Sequence, residues 1–132
     1  MLMALRTWRV CRRDHAEFAR ISEDRGILTV RLVGPSIGQR EVPIITDLVG
    51  PAIDQCGTSL RFMVLDMSQI TFINSMGLGM CIDFRNRTNK AGGKSVLLGM
   101  NQQLVDLFKM VKVDRLYTIV KDAGELAKIT AS

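Results

Sequence analysis

The residues with the most evident chemistry stand in Asn74-Ser75-Met76-Gly77-Leu78-Gly79, just after an apolar run that ends at Leu65. Asn and Ser are both strong helix N-caps, so this segment predicts a helix beginning near Ser75. The first amides of a helix lack internal acceptors and carry the positive end of its dipole. A phosphate on the Ser75 hydroxyl would bring about −1.5 to −2 charges to that end, where it can be tolerated without unfolding the domain. Gly77 and Gly79 each cost about 1 kcal/mol relative to Ala inside a helix. Either the first turn packs tightly against the sheet, or another molecule approaches its backbone. A plain helix cap at Asn74 or Ser75 accounts for their types, whereas an exposed turn would leave the Ser75 hydroxyl open to a kinase and Asn74, Ser75, Met76, Gly77 and Gly79 open to a partner.

Other chemistry lacks its supporting groups. Cys11, Cys56 and Cys81 include no close pair, and His15 is the single histidine. A structural zinc site needs four ligands at short spacings, so no metal site is expected. Cys56 and Cys81 read as small buried hydrophobes. Gly92-Gly-Lys-Ser95 has the end of a phosphate-binding loop, but Thr88 stands where its first glycine belongs and the segment precedes a strand. Gly77-Leu-Gly79 lacks the third glycine of a dinucleotide fingerprint. With no nucleophile, base and orienting group in a recognisable arrangement, neither a catalytic residue nor a cofactor is assigned, and the chain does not read as an enzyme.

The elements that would hold Ser75 follow from apolar periodicity. Phe18–Ile21 and Ile27–Val33 flank the polar stretch Ser22–Gly26, predicting two strands joined by a hairpin loop. From Arg40 to Cys56 an apolar face predicts a helix that Gly50-Pro51 should kink or divide. Leu60–Asp66 contains four consecutive apolar residues, as in a central strand covered on both faces. The helix from Ser75 carries Leu78, Cys81 and Ile82 inward and stops at Gly92-Gly93. Lys94–Leu98 is a strand, and Leu104, Leu107, Phe108 and Val111 mark an amphipathic helix from Asn101. A strand at Leu116–Val120 and a helix capped by Asp122 follow. The order β-β-α-β-α-β-α-β-α predicts an α/β fold: a mixed, mainly parallel sheet of about five strands with helices packed on it.

Composition limits the partners. The 132 residues are 47% hydrophobic and 23% charged, as in one globular domain. Net charge is +5, but Arg6, Arg9, Arg12 and Arg13 lie within the first 13 residues with no acid. They leave 14 basic against 13 acidic side chains in the rest. The expected division is a basic extension at 1–13 and a domain at 14–132. The extension, with Trp8, could touch nucleic acid or an anionic membrane surface, but a solvated appendage is the favoured reading, and the domain lacks the aromatic and basic interleaving of a nucleic-acid surface. No apolar run reaches the roughly 20 residues of a membrane span, and Met1–Cys11 lacks the apolar stretch of a signal peptide. These features point to a reducing cytoplasm, with no membrane insertion.

The segment Leu65-Asp-Met-Ser-Gln-Ile-Thr-Phe-Ile-Asn-Ser-Met-Gly-Leu-Gly79 resembles the signature of the STAS domain of bacterial anti-sigma factor antagonists, a hydrophobic strand followed by Asp-Ser-Ser/Thr-Gly-Leu-Gly. Lys90–Gly99 and Val105–Leu116 are similar to the family's next strand, its next helix and the start of its final strand. The resemblance spans about residues 16–126. It implies an anti-sigma factor antagonist in signal transduction and transcription regulation. In its unphosphorylated form such a protein binds an anti-sigma factor that is also a serine kinase, releasing the sigma factor. Phosphorylation of the serine after the motif Asp, here Ser75, ends the interaction, and a phosphatase restores it. The motif Asp is Asn74 in this chain, and Met76 replaces the following Ser or Thr. The alternative is a STAS regulatory subunit of a transporter or signalling scaffold, with no phosphorylation cycle. Oligomeric state is not specified by the sequence.

Overall fold

The computed structural model describes residues 18–131. Cys11, His15 and the arginine-rich extension lie outside them. The strands are β1 (Ala19–Asp24), β2 (Ile27–Leu32), β3 (Ser36–Ile37), β4 (Phe62–Asp66), β5 (Phe72–Ile73), β6 (Lys94–Leu98) and β7 (Thr118–Val120). The α-helices are α1 (Glu41–Cys56), α2 (Ser75–Ala91), α3 (Gln102–Met110) and α4 (Ala123–Thr130). A five-stranded sheet has the order β1-β2-β4-β6-β7, with β1 antiparallel to β2 and the other pairs parallel. The expected mixed, mainly parallel α/β sheet is the one observed.

The two faces are covered unequally. Leu28, Val30, Leu32, Met63, Leu65 and Leu97 form one large core with Ile45, Val49 and Ile53 of α1, Met80, Cys81 and Phe84 of α2, and Leu104 and Phe108 of α3. On the opposite face Val64, Val96 and Val120 lie under Leu126 and Ile129 of α4. This alternation is the period of two expected of strands, and it makes β4 a central strand buried on both faces.

Five local expectations need correction. Of the kink or division expected at Gly50-Pro51, division does not occur: helix α1 is continuous from Glu41 to Cys56. Pro51 and Asp47 are both exposed, so the carbonyl deprived of its donor can be solvated instead of breaking the helix. Strand β1 extends to Asp24, because an edge strand alternates polar residues on its solvated side. The hairpin loop is only Arg25 and Gly26, both at positive φ (52° and 85°). Helix α3 stops at Met110, so Val111 falls outside the buried stripe and is 44% exposed. The last strand starts at Thr118, since Val113–Leu116 form a 3-10 turn. Cys81 is fully buried, as expected, whereas Cys56 at the end of α1 is only half-buried.

Candidate functional site

The site is built outward from the end of β4. Asp66, 6% exposed, accepts hydrogen bonds from the Ser68 amide (3.0 Å) and hydroxyl (2.7 Å) on Oδ1, and from Arg31 Nε (3.3 Å) on Oδ2. These bonds turn the chain out of the sheet. The Met67 amide bonds the Leu98 carbonyl at 2.8 Å, tying the turn to the neighbouring strand. The chain then returns through β5, which pairs with β3 in a two-residue parallel ladder, Ser36 with Phe72 and Ile37 with Ile73. The Asn74 amide continues this contact by donating to the Ile37 carbonyl at 3.2 Å.

Asn74 is the N-cap of α2: its Oδ1 accepts from the Gly77 amide at 3.0 Å, and its carbonyl accepts from the Leu78 amide at 3.0 Å. Its polar side chain thus satisfies one of the orphan donors of the first turn, while its carbonyl accepts the first regular bond of the helix. The amides of Ser75 and Met76 find no acceptor among the described residues. Ser75 is therefore the first residue of a 17-residue helix, exposed, with an unengaged hydroxyl beside two free donors.

The two glycines have opposite roles. A Cβ on Gly77 would collide with Ile73 Cγ1, lie 2.9 Å from Ile73 Cδ1 and lie 3.1 Å from Ile37 Cγ2. Gly77 thus lets the helix sit directly on the β3–β5 ladder. A Cβ on Gly79 would meet nothing within 4 Å, so that glycine is open to solvent. Ser75 and Gly79 are one helical turn apart on the outer surface, with Met76 beside them. Met76 is 42% exposed, and Phe72, not singled out in the sequence reading, is 58% exposed. Its only signal was alternation with the inward residue Ile73. Asn74 itself is half-buried, next to Gly38 in the turn that starts α1. That turn is held by the Glu41 carboxylate, which accepts from the Gly38 amide at 2.9 Å.

Ser75, Met76, Gly79 and Phe72 thus make an exposed, largely apolar surface around one hydroxyl, with no charged side chain among these four. A model of the STAS domain matches residues 19–126. The chain belongs to the STAS domain family. Solved structures share the fold at low sequence identity. An anti-sigma-factor antagonist (STAS) domain protein from Planctomyces limnophilus has a TM-score of 0.75 at 14% identity, with 86% of this chain and 98% of that one covered. The Bacillus cell fate determinant SpoIIAA in its phosphorylated form has a TM-score of 0.65 at 15% identity, with 84% and 98% covered. The murine solute carrier 26 family member A9 anion transporter has a TM-score of 0.65 at 19% identity, with 82% of this chain but 18% of the transporter covered. A comparison with curated proteins finds no match. Among the described residues of this STAS domain, no helix is long and apolar enough to cross a membrane.

Proposed function

We propose that this STAS domain is an anti-sigma factor antagonist that acts in the cytoplasm as a binding module rather than an enzyme. Its partner is a serine-kinase anti-sigma factor, and Asn74, Ser75, Met76, Gly77 and Gly79 form or support the contact. The observation that carries the reading is the exposed Ser75 hydroxyl at the first position of α2, flanked by exposed Phe72 and Met76. Unmodified, this surface can be desolvated against a partner at little polar cost. A phosphate on Ser75 is compatible with the free domain, because the helix dipole and the amides of Ser75 and Met76 favour an anion. Within a docked apolar surface the same dianion would carry a desolvation penalty of several kcal/mol. Modification therefore ends binding without unfolding the domain, and a phosphatase resets it. The domain occupies 14–132, preceded by the basic extension at 1–13.

Asn74 in place of the motif Asp preserves the cap but removes a carboxylate next to the acceptor hydroxyl. Together with Met76, this favours a second reading: a STAS regulatory module of a transporter or scaffold whose surface is never phosphorylated. The likeness to the anion transporter's domain supports it. Incubation with candidate kinase partners and ATP, followed by mass spectrometry of the peptide containing Ser75, separates the two readings. Phosphate on Ser75, together with binding that Ser75→Asp abolishes, supports the switch. Binding indifferent to Ser75→Asp removes Ser75 from the contact, and recovery of transporter subunits from cells supports the second reading.

A further inference from the structure

A polar cleft lies away from Ser75, toward the opposite end of α2. It has a volume of about 200 Å³ and is lined by Arg85 and Asn89 of α2, Lys94 and Ser95 at the start of β6, and Arg115, Tyr117 and Thr118 before and within β7. Three cations converge on it from three separate elements, and no carboxylate lines it. None of the three is in a salt bridge among the described residues, whereas Arg31 and Arg87 are each paired with Asp. Arg85 donates only to Asn86 Oδ1, at 3.2 Å. Ser95 is 8% exposed, faces this cleft and has no hydrogen-bond partner among the described residues.

A charge at the end of a helix has an ordinary explanation, since cations offset the negative C-terminal dipole. Lys90 already stands in the last turn of α2, and the final carbonyls of Thr88 and Asn89 accept from the amides of Gly92 and Gly93. Lys94 and Arg115 belong to other elements, so this explanation does not account for their convergence. Nor does it account for the Ser95 hydroxyl, which lines the same cleft, keeps contact with solvent there and is free to donate to a ligand. The nearest opposing charge in sequence is Asp114, which adjoins Arg115 but does not line the cleft.

We propose that this cleft binds the phosphate group of a small phosphorylated ligand. The guanidinium groups of Arg85 and Arg115 supply planar donors, Lys94 a mobile point charge and Ser95 a hydroxyl donor. The site is separate from Ser75 and does not depend on its modification.

The test is calorimetric titration of the full chain at low ionic strength with inorganic phosphate, pyrophosphate and AMP. Saturable single-site binding that weakens with added salt is expected. Arg85→Gln and Arg115→Gln should each weaken it about tenfold or more, as loss of a charge-assisted hydrogen bond implies. Ser95→Ala should weaken it by about threefold to tenfold. Ser75→Ala, and a triple Arg9→Gln, Arg12→Gln, Arg13→Gln variant, should leave it unchanged. AMP binding like phosphate would mean that only the phosphoryl group is held, and AMP binding tenfold tighter would extend the ligand to a nucleotide. Absence of binding by all three probes overturns the proposal. So does binding that survives both cleft substitutions in variants of unchanged melting temperature, or binding that is lost with the triple variant.

Discussion

Gly77→Ala and Gly79→Ala are the same chemical change, two residues apart on one helix, and should have opposite signs. Each gains about 1 kcal/mol of helix propensity. At Gly79 the methyl enters open space, so the gain is realised, and stability should rise by about 0.5–1 kcal/mol. At Gly77 the methyl meets Ile73 Cγ1 and Cδ1 and Ile37 Cγ2. Both isoleucines are buried and anchored in the β3–β5 ladder, so neither can swing away as a long surface side chain would. Overpacking of this kind costs about 1–3 kcal/mol, toward the upper end where the obstructing atoms are fixed. The net for Gly77→Ala is a loss of about 1–2 kcal/mol. For a chain of this size about 1 kcal/mol corresponds to roughly 3–5 °C in melting temperature, so the two variants should fall on either side of the parent. Thermal and urea unfolding followed by circular dichroism read the difference. A Gly77→Ala protein as stable as its parent, or a Gly79→Ala protein clearly less stable, refutes the reasoning. The second variant also reports on docking: partner binding weakened in a more stable protein places the partner over that turn.

Further predictions concern the cap, the β4 turn, and the buried Cys81 thiol of α2 with the Tyr117 ring bonded to its carbonyl. Asn74→Ala should cost about 1 kcal/mol, whereas Asn74→Asp should be neutral or stabilising by about 0.3–1 kcal/mol in a salt-sensitive way, measured by urea unfolding at two ionic strengths. Asp66→Ala leaves the Ser68 amide and hydroxyl and Arg31 without their acceptor and should cost about 1–3 kcal/mol, visible as a lower urea midpoint. Burial pushes the Cys81 thiol from 9.0 up to about 12, and burial likewise raises the Tyr117 phenol. Both groups are held neutral by the fold; the Cys81 contribution is fully present below pH 9 and is lost as pH rises from about 9 to 12, and the Tyr117 contribution begins to be lost as pH rises past its ordinary 10.0. Denaturation curves across that range should show a falling midpoint, and Cys81 should resist alkylation until the protein unfolds. Tyr117→Phe removes the donor to the Cys81 carbonyl (2.7 Å), should cost about 1 kcal/mol and should flatten part of the alkaline loss.

What could be read in the sequence was what periodicity encodes. Strands β2, β4 and β6 and the cap Asp122 stand where residue type and spacing put them, and of the two caps Asn74 and Ser75 that the sequence offered, the structure uses Asn74. Leu28, Val30 and Leu32 face one core, as alternation along a strand requires. The features that escaped depend on tertiary partners. A two-residue ladder such as β3–β5 has no period to detect, yet it is what Gly77 packs upon. Gly77 and Gly79 are indistinguishable as letters, and only the β3–β5 ladder beneath the first turn, through Ile73 and Ile37, separates their roles. Val111 continues the spacing of Leu104 and Phe108, but the helix ends before it. Arg85, Lys94 and Arg115 share no motif; the crossover from α2 to β6 and the turn before β7 bring them to one cleft.

Helix α2 carries Ser75 at its first position and Arg85 ten residues later, a rise of about 15 Å. Fields in salt water fade over about 8 Å at physiological ionic strength, so a charge added at one end is nearly invisible at the other through solvent. The helix is packed along its length by Met80, Cys81, Phe84 and Thr88, and behaves as one stiff rod. Two signals could thus be written on the same element without interfering, one as occupancy of a docking face and one as occupancy of a cleft. Coupling between them would require the rod itself to shift.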